Sequence, residues 1–279
     1  MIQIATSSWT LHHTLGQARY ALDGPGRTVC TREPSGGAMA LLDLPAFVAK
    51  DGIKVLEITE YHLPRTDDAY LADLKAALAG AGVELANLLI GAGNLSNLND
   101  MAWQADIEMH KRWQEIAAKL GATGTRIDCG CEPPTPETRA RSAAALQQLA
   151  EYGASLGLTT ATENWRTTSL QPADLLEIMD NVAHPLKLCV DFGNADRTAD
   201  KYDTLAKLMP RGTSLHCKGN FTDNGLDVDE FRRCLTIARE AGFNGYIALV
   251  YDKYDDEWEK VLTLKAEVEA FFEETGLLN

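Results

Sequence analysis

Short apolar or β-branched runs alternate along this chain with longer amphipathic stretches that are rich in alanine and leucine. Such alternation is typical of βα units that build a parallel sheet. Eight strand-like runs occur, each followed by helical sequence, at residues 2–7, 55–59, 84–90, 124–129, 159–164, 186–191, 214–218 and 246–251. We therefore predict a single α/β domain over residues 1–279, folded as a (β/α)8 TIM barrel.

The residues at the ends of the helical stretches support this interpretation. Residues that suit helix starts open four of them: Pro45, Asp67, Thr135 and Pro172. Glycines that suit helix ends follow others: Gly80, Gly82, Gly121, Gly157 and Gly242. An open doubly wound sheet shows the same alternation, but no G-x-G-x-x-G run follows the first strand, as dinucleotide binding would require. The pattern favours a closed barrel.

One connection is much longer than the rest. Residues of about 10–42 separate the first strand from the first outer helix, whereas connections in α/β units usually have about 2–6 residues. In a barrel this insertion lies on the carboxyl face, so we predict a lid that carries Arg19, Arg27 and Arg32. A solvated insertion without substrate contact is the alternative.

Composition narrows the functional class. The formal net charge of −14 disfavours binding to a phosphate backbone. Neither a signal peptide nor an apolar stretch of about 20 residues is apparent, so we expect a cytoplasmic protein with no nucleic-acid or membrane partner. The six cysteines, including Cys129 and Cys131, lack metal-clip spacing, and we expect buried or incidental thiols rather than disulfides.

Polar residues end several strand-like runs, where barrel enzymes place their active sites. Glu57, Glu163, Asp191 and His216 end runs two, five, six and seven. Neighbouring parallel strands lie about 4.8 Å apart, so the last three side chains can converge. Two carboxylates and an imidazole suit a divalent cation such as Mn²⁺, Co²⁺, Mg²⁺ or Zn²⁺. A hydrogen-bonded polar cluster without a metal is the alternative.

Three runs also carry a family resemblance: Glu163-Asn164, Asp191-Phe192-Gly193-Asn194 and His216-Cys217-Lys218. Together with residues 44–47 and 52–57, they resemble the sugar phosphate isomerase/epimerase group of xylose isomerase-like barrels. That group includes tagatose and psicose 3-epimerases, hydroxypyruvate isomerase, the inosose enzymes and, more distantly, endonuclease IV. The resemblance implies a small-molecule sugar substrate and a divalent metal ion, and a homo-oligomer is compatible with it.

By that resemblance, Glu163, Asp191 and His216 match three of four metal ligands, but Val250 stands where the fourth, a glutamate, belongs. The sugar epimerases are understood to use the two glutamates as a proton-transferring pair on opposite substrate faces. Asp252 would replace the lost ligand if the strand continued, because side chains alternate with period two; an exposed loop acid is the alternative. The replacement of this glutamate by Val250 favours one-base chemistry, such as isomerisation, enolisation or β-elimination, over two-base epimerisation.

Further roles follow for individual residues. Glu163 is our candidate base, and Lys218 is expected to stabilise an enolate, to pair with a neighbouring carboxylate, or both. His216 completes the catalytic set. Four residues are candidate substrate contacts: Glu57, Trp165, Asn194 and His12. For Glu57 the alternatives are orienting His216 or forming a buried structural pair, and for Trp165 the alternative is packing in the core.

Two other functions compete with a sugar-converting enzyme, and the positions of the histidines and the presence of Val250 bear on them. We expect His62 in a loop and His110 on a helix surface, which leaves His216 as the convincing strand-end histidine. This scarcity and the acidic charge disfavour an endonuclease IV-like enzyme. Val250 instead supports a second alternative, a barrel that has lost catalysis and binds sugar.

Overall fold

Eight parallel strands form a closed barrel in a computed structural model that describes residues 2–22, 28–32, 37–253 and 255–275. The strands are β1 (Gln3–Ser7), β2 (Val55–Thr59), β3 (Glu84–Ile90), β4 (Gly124–Ile127), β5 (Thr159–Glu163), β6 (Lys187–Asp191), β7 (Gly212–Cys217) and β8 (Tyr246–Leu249). Ala5 of β1 pairs with Val55 of β2 on one side and with Ala248 of β8 on the other. This pairing closes the sheet and confirms the predicted barrel.

Helices cover the outside of the barrel. They are α1 (Leu44–Ala49), α2 (Asp68–Ala81), α3 (Asp100–Leu120), α4 (Pro136–Ser155), α5 (Pro172–Asp180), α6 (Lys201–Leu208), α7 (Val228–Glu240) and α8 (Glu257–Glu274). Short helices span His12–Leu15, Arg166–Ser169 and Phe192–Ala195, and 3-10 turns span Ser8–Leu11, Leu41–Asp43, Glu60–His62 and Met209–Arg211. A small hairpin joins Phe221–Thr222 to Gly225–Leu226.

Local chemistry explains where the helices start and stop. The Asp67 carboxylate accepts the Tyr70 N–H at 3.2 Å and thereby caps α2. Gly82 ends the same helix with φ of 62°, in the left-handed region that glycine adopts without strain. Gly80 lies inside α2 rather than after it, so its predicted role as a helix end is wrong.

Side-chain size differs between the two sides of the strands. Small residues meet inside the barrel near its amino end: Ala5, Val55, Ala86 and Ala248. The larger apolar residues pack between strands and helices, as Leu56, Leu74 and Trp113 do. Four described cysteines are buried free thiols, as expected, whereas Cys131 is exposed. No helix in the described part of the chain is long and apolar enough to cross a membrane.

The long insertion after β1 contains a β-hairpin that pairs Arg19–Leu22 with Thr28–Arg32. The Ala18 N–H donates to the Tyr61 carbonyl at 2.6 Å, and the Arg19 guanidinium lies 5.2 Å from the centre of the Tyr61 ring. Tyr61 lines the mouth of the barrel, so the hairpin is anchored beside that mouth. Arg27 lies outside the described residues, as does the side chain of Arg32, and the lid stays a prediction.

Candidate active site

A cavity of about 300 Å³ lies at the carboxyl ends of the barrel strands. Several sequence-predicted site residues line it: Glu163, Trp165, Asp191, Asn194, His216, Lys218 and Asp252. Val250 lines it as well. The strand-end residues therefore meet in one place, as their positions in sequence predict.

Three donor atoms converge at the base of this cavity. His216 Nδ1 lies 3.6 Å from Glu163 Oε2 and 3.5 Å from Asp191 Oδ2. The strands are held in register there because the Asn164 amide bonds to the Asp191 backbone at 2.7 and 3.0 Å. Both carboxylate oxygens are buried and accept no hydrogen bond from the described residues, but each faces a side-chain cation, Arg126 Nε at 3.0 Å from Glu163 Oε2 and Lys218 Nζ at 3.2 Å from Asp191 Oδ2. This donor set fits a divalent cation.

Cys189, which was expected to be a buried or incidental thiol, offers a further ligand atom. Its sulfur lies within 4.8 Å of ligand atoms of Glu163 and His216. Burial raises the pKa of the Cys189 thiol to about 11. Because the thiolate is the form that binds metals, coordination by this sulfur would require loss of that proton.

His216 is oriented from below by Glu57. His216 Nε2 lies 2.8 Å from Glu57 Oε2, while Glu57 Oε1 accepts from the Tyr246 hydroxyl at 2.7 Å and from the Asn87 amide at 3.2 Å. Metal-binding histidines are commonly held by a carboxylate on the second ring nitrogen in this way. Glu57 is fully buried and does not line the cavity, so its contacts favour the orienting role over substrate contact.

The acidic surroundings of His216 favour positive charge at this point. Burial alone would lower the pKa of His216, but Cys189, Glu57 and Glu163 raise it well above its usual value. The same groups would attract a cation to Nδ1.

Asn194 holds one oxygen of each carboxylate. Its side-chain amide donates to Glu163 Oε1 at 2.8 Å, and its backbone N–H donates to Asp191 Oδ1 at 2.7 Å. The preceding Gly193 leaves room for a neighbour, because a Cβ there would lie 2.7 Å from Lys218 Cδ. Asn194 of this run therefore fixes the carboxylates of Glu163 and Asp191, and Gly193 leaves space for the Lys218 side chain.

Asp252 contacts the site by pairing with Lys218. Strand β8 ends at Leu249, so the period-two argument for Asp252 does not apply. Lys218 Nζ lies 3.2 Å from both Asp191 Oδ2 and Asp252 Oδ2. The Asp252 side chain is 41% exposed, whereas Val250 is buried against the cavity. The described contact of Asp252 is therefore with a cation rather than with one of the three donor atoms.

Arg126 and Arg166 line the cavity and Asp128 pairs with both, although no sequence motif indicated these three residues. Arg126 Nε lies 3.0 Å from Glu163 Oε2, and Arg126 and Arg166 both pair with Asp128, at 3.0 and 2.7 Å. Their guanidinium carbons lie 5.1 and 4.8 Å from the Trp165 ring centre. Charged residues inside an apolar strand-like run were the available signal, because a buried charge needs a partner.

The remaining histidines lie elsewhere. His12 is buried and stacks on the cavity-lining Trp9 at 4.5 Å, but it does not itself line the cavity. The predicted helix-surface position of His110 is wrong, since His110 is buried, whereas His62 lies in the connection after β2, as predicted, and is buried there. His62 Nδ1 bonds to Ser8 Oγ at 2.7 Å, and burial lowers its pKa to about 3. Packing of neighbouring segments covers both rings.

A second group with metal-ligand chemistry contains His12, His13 and Glu257. The Glu257 carboxylate accepts the His13 N–H at 3.2 Å and the Thr14 hydroxyl at 2.8 Å. These bonds cap the short helix that begins at His12, which gives Glu257 a structural role.

The raised pKa of buried Glu60 predicts that the stability of the protein depends on pH. Glu60 Oε1 accepts the Gly91 and Ala92 N–H groups at 2.7 and 2.9 Å, and burial raises the pKa of Glu60 to about 7. As pH rises from about 4.5 to 7, Glu60 loses a proton in the unfolded chain that it keeps in the native state, so its contribution to the free energy of unfolding falls by about 3 kcal/mol. Urea denaturation should show a smaller fall for Glu60→Gln. An identical pH dependence in variant and wild type would contradict this, and exposed Glu137→Gln is the control.

The fold and the cavity define an α/β barrel with its site at the carboxyl ends of the strands. Residues 45–273 match the model of the xylose isomerase-like TIM barrel family, and the chain belongs to this family. None of the curated protein sequences matches this chain.

Solved structures show the same fold at low identity. L-ribulose 3-epimerase is 15% identical with a TM-score of 0.72, covering 99% of this chain and 98% of its own. A xylose isomerase-like barrel protein from Mycobacterium smegmatis, in complex with magnesium, is 16% identical with a TM-score of 0.71, covering 100% and 98%. The 3-keto-D-glucoside 4-epimerase YcjR from E. coli is 14% identical with a TM-score of 0.68, covering 96% and 100%.

Proposed function

We propose that this protein is a metal-assisted isomerase, epimerase or lyase that removes a proton next to the carbonyl of a small sugar or keto-sugar derivative. The convergence of His216 Nδ1, Glu163 Oε2 and Asp191 Oδ2 in a buried cavity carries this proposal. The sugar epimerases among the solved relatives, and the magnesium in one of them, support the substrate class and the cation.

Glu163, Asp191 and His216 would hold the cation, with Mn²⁺, Co²⁺, Mg²⁺ and Zn²⁺ as candidates. When bound, such a cation polarises a carbonyl or hydroxyl oxygen of the substrate. Asp252 would complete the set only by leaving Lys218, with which it pairs at 3.2 Å. Glu57 would act on the same site through His216 by fixing which ring nitrogen faces the carboxylates.

Proton transfer is assigned to Glu163. Asn194 fixes Glu163 Oε1, so the carboxylate keeps one orientation toward the cavity. A positioned proton-transfer group typically contributes about 10² to 10⁴ in rate. Lys218 lines the same cavity and carries a positive charge that would stabilise an enolate oxygen. Val250 offers no ionisable group near the end of β8, which favours chemistry on one face of the substrate.

The remaining lining suits a small polyhydroxy ligand. A cavity of about 300 Å³ is at the lower end of typical small-molecule sites. Trp165 offers an aromatic surface for sugar C–H groups, and Asn194 offers an amide for hydroxyls. His12 would contribute indirectly, by supporting Trp9 from the side that it stacks on.

A sugar-binding barrel without catalysis is the second candidate, and the ion pairs of the cavity favour it. Arg126 lies 3.0 Å from the Glu163 carboxylate and Lys218 lies 3.2 Å from that of Asp191. Side-chain cations thus compensate both carboxylates, and Val250 replaces the fourth ligand expected from the family.

Metal analysis and deuterium exchange test the proposal. We expect about one divalent ion per chain after loading with Mn²⁺, and incorporation of deuterium from D2O next to the carbonyl of at least one sugar in a panel of ketoses. NMR would detect the exchange, and a chelator should stop it. A protein that binds sugar but takes up no metal and exchanges no proton would support the second candidate instead.

A further inference from the structure

Arg166 has an unusual backbone conformation. Its φ of 55° lies in the left-handed region, and it is the one non-glycine residue with positive φ among those described. An L-amino acid pays a conformational cost there, and such residues persist where the surroundings fix them. The neighbouring structure should therefore show what holds this residue in place.

The Arg166 side chain contacts two neighbouring loops of the barrel mouth, those that follow β3 and β4. Its Nε lies 2.7 Å from Asp128 Oδ2, just after β4, and its Nη1 donates to Cys131 Sγ at 2.8 Å. The Gly91 and Gly93 carbonyls, after β3, accept from the same guanidinium. Arg166 itself follows β5, so one side chain connects the ends of three consecutive strands.

These contacts continue inward as a chain of alternating charges. Asp128 Oδ1 lies 3.0 Å from Arg126 Nη1, and Arg126 Nε lies 3.0 Å from Glu163 Oε2. Arg126, Asp128 and Glu163 are each at most 6% exposed. Because buried charges are screened little by solvent, displacing one member should displace the next.

The planar guanidinium is suited to this task. Arg126 Nη1 donates to Asp128 Oδ1 at 3.0 Å, and Arg126 Nε lies 3.0 Å from Glu163 Oε2 in an ion pair without hydrogen-bond geometry, so one rigid group contacts both carboxylates. A lysine has the same charge but no such fixed fork of donors. Through this one guanidinium, the position of Asp128 influences the Glu163 oxygen that faces His216.

We propose that Arg166 and Asp128 are positioning residues, which act through Arg126 to fix the Glu163 carboxylate in the cavity. The left-handed backbone at Arg166 is retained because it directs the guanidinium to Asp128. The catalytic meaning of this arrangement rests on the proposed function, whereas the position of Glu163 can be measured independently.

The test compares Mn²⁺ affinity by calorimetry in wild type, Arg166→Lys and Asp128→Asn. We expect about tenfold weaker binding in both variants, as is usual when a group that orients a metal ligand is lost. Asp128→Asn also changes the charge of the site, and it is at risk of not folding. Arg166→Lys keeps the charge and isolates the geometry, so it carries the test.

Arg139→Lys is the matched control, because Arg139 also pairs with an aspartate, Asp174, at 2.9 Å but on the outer helices. Mn²⁺ affinity in Arg166→Lys equal to that of the control would overturn the proposal. If wild type itself binds no Mn²⁺, the proposed function fails, and crystal structures decide the inference. A Glu163 carboxylate displaced from Asn194 in Arg166→Lys would support it, and an unmoved carboxylate would overturn it.

Discussion

Glu163→Gln and His216→Ala are each expected to lower the rate of proton exchange by a factor of about 10² to 10⁴ and to weaken metal binding. Glu163→Gln replaces an anionic donor with a neutral amide, and His216→Ala removes the atom that faces both carboxylates at 3.5 and 3.6 Å. Deuterium exchange followed by NMR and Mn²⁺ titration would measure the two effects.

Loss of folding must be separated from loss of chemistry in these variants. Glu163 pairs with buried Arg126, and removing one partner of a buried pair typically costs about 3–5 kcal/mol. Circular dichroism and thermal melting should therefore show a folded but less stable Glu163→Gln. Glu137→Gln and His184→Ala, which do not line the cavity, serve as controls. Unchanged activity in both site variants would remove the proposed site.

Wild type should not epimerise free ketohexoses at C3 efficiently, whereas Val250→Glu should gain this activity. Val250 is buried against the cavity near the end of β8, where the resemblance expects the second glutamate of a two-base pair. A carboxylate there would supply both a further metal ligand and an acid for the opposite substrate face. Incubation with D-tagatose, D-psicose and D-fructose in D2O with Mn²⁺ would show inversion and deuterium at C3 by NMR.

Asp252→Ala tests whether the loop carboxylate already fills this role. Rapid C3 epimerisation by wild type that survives Asp252→Ala would refute the argument from Val250. Mn²⁺ should also raise the melting temperature of Val250→Glu more than that of wild type, because an added ligand favours the metal-bound native state. Val250→Gln, with similar size and no charge, is the matched control.

Particular residues show which parts of the site the sequence could predict. Glu163, Asp191 and His216 were accessible because each follows an apolar strand-like run, and parallel strands bring such ends together. For Glu57 the sequence allowed a substrate contact, the orientation of His216 or a buried structural pair, and only its depth in the barrel and its contact with His216 distinguish them. Asp252 was tied to a strand that ends earlier, at Leu249, which no periodicity could indicate.

His62 and His110 show the opposite limit. His62 was expected in a loop and His110 on a helix surface, yet both are buried. Burial depends on which distant segments pack over a residue, as the contact between His62 and Ser8 illustrates. The role of Arg126 was not predicted because it depends on a distant residue as well. One of its carboxylate partners, Glu163, lies on another strand.

By itself the sequence determined the eight βα units, their order and the face on which the polar strand ends meet, because strand and helix periodicities and parallel pairing are local or repetitive properties. Tertiary structure alone decided the charge chain from Arg166 to Glu163, the orientation of His216 by Glu57, and the pairing of Asp252 with Lys218. These contacts join residues far apart in sequence at distances near 3 Å. At such distances, the strand register and the path of each loop determine which charges meet.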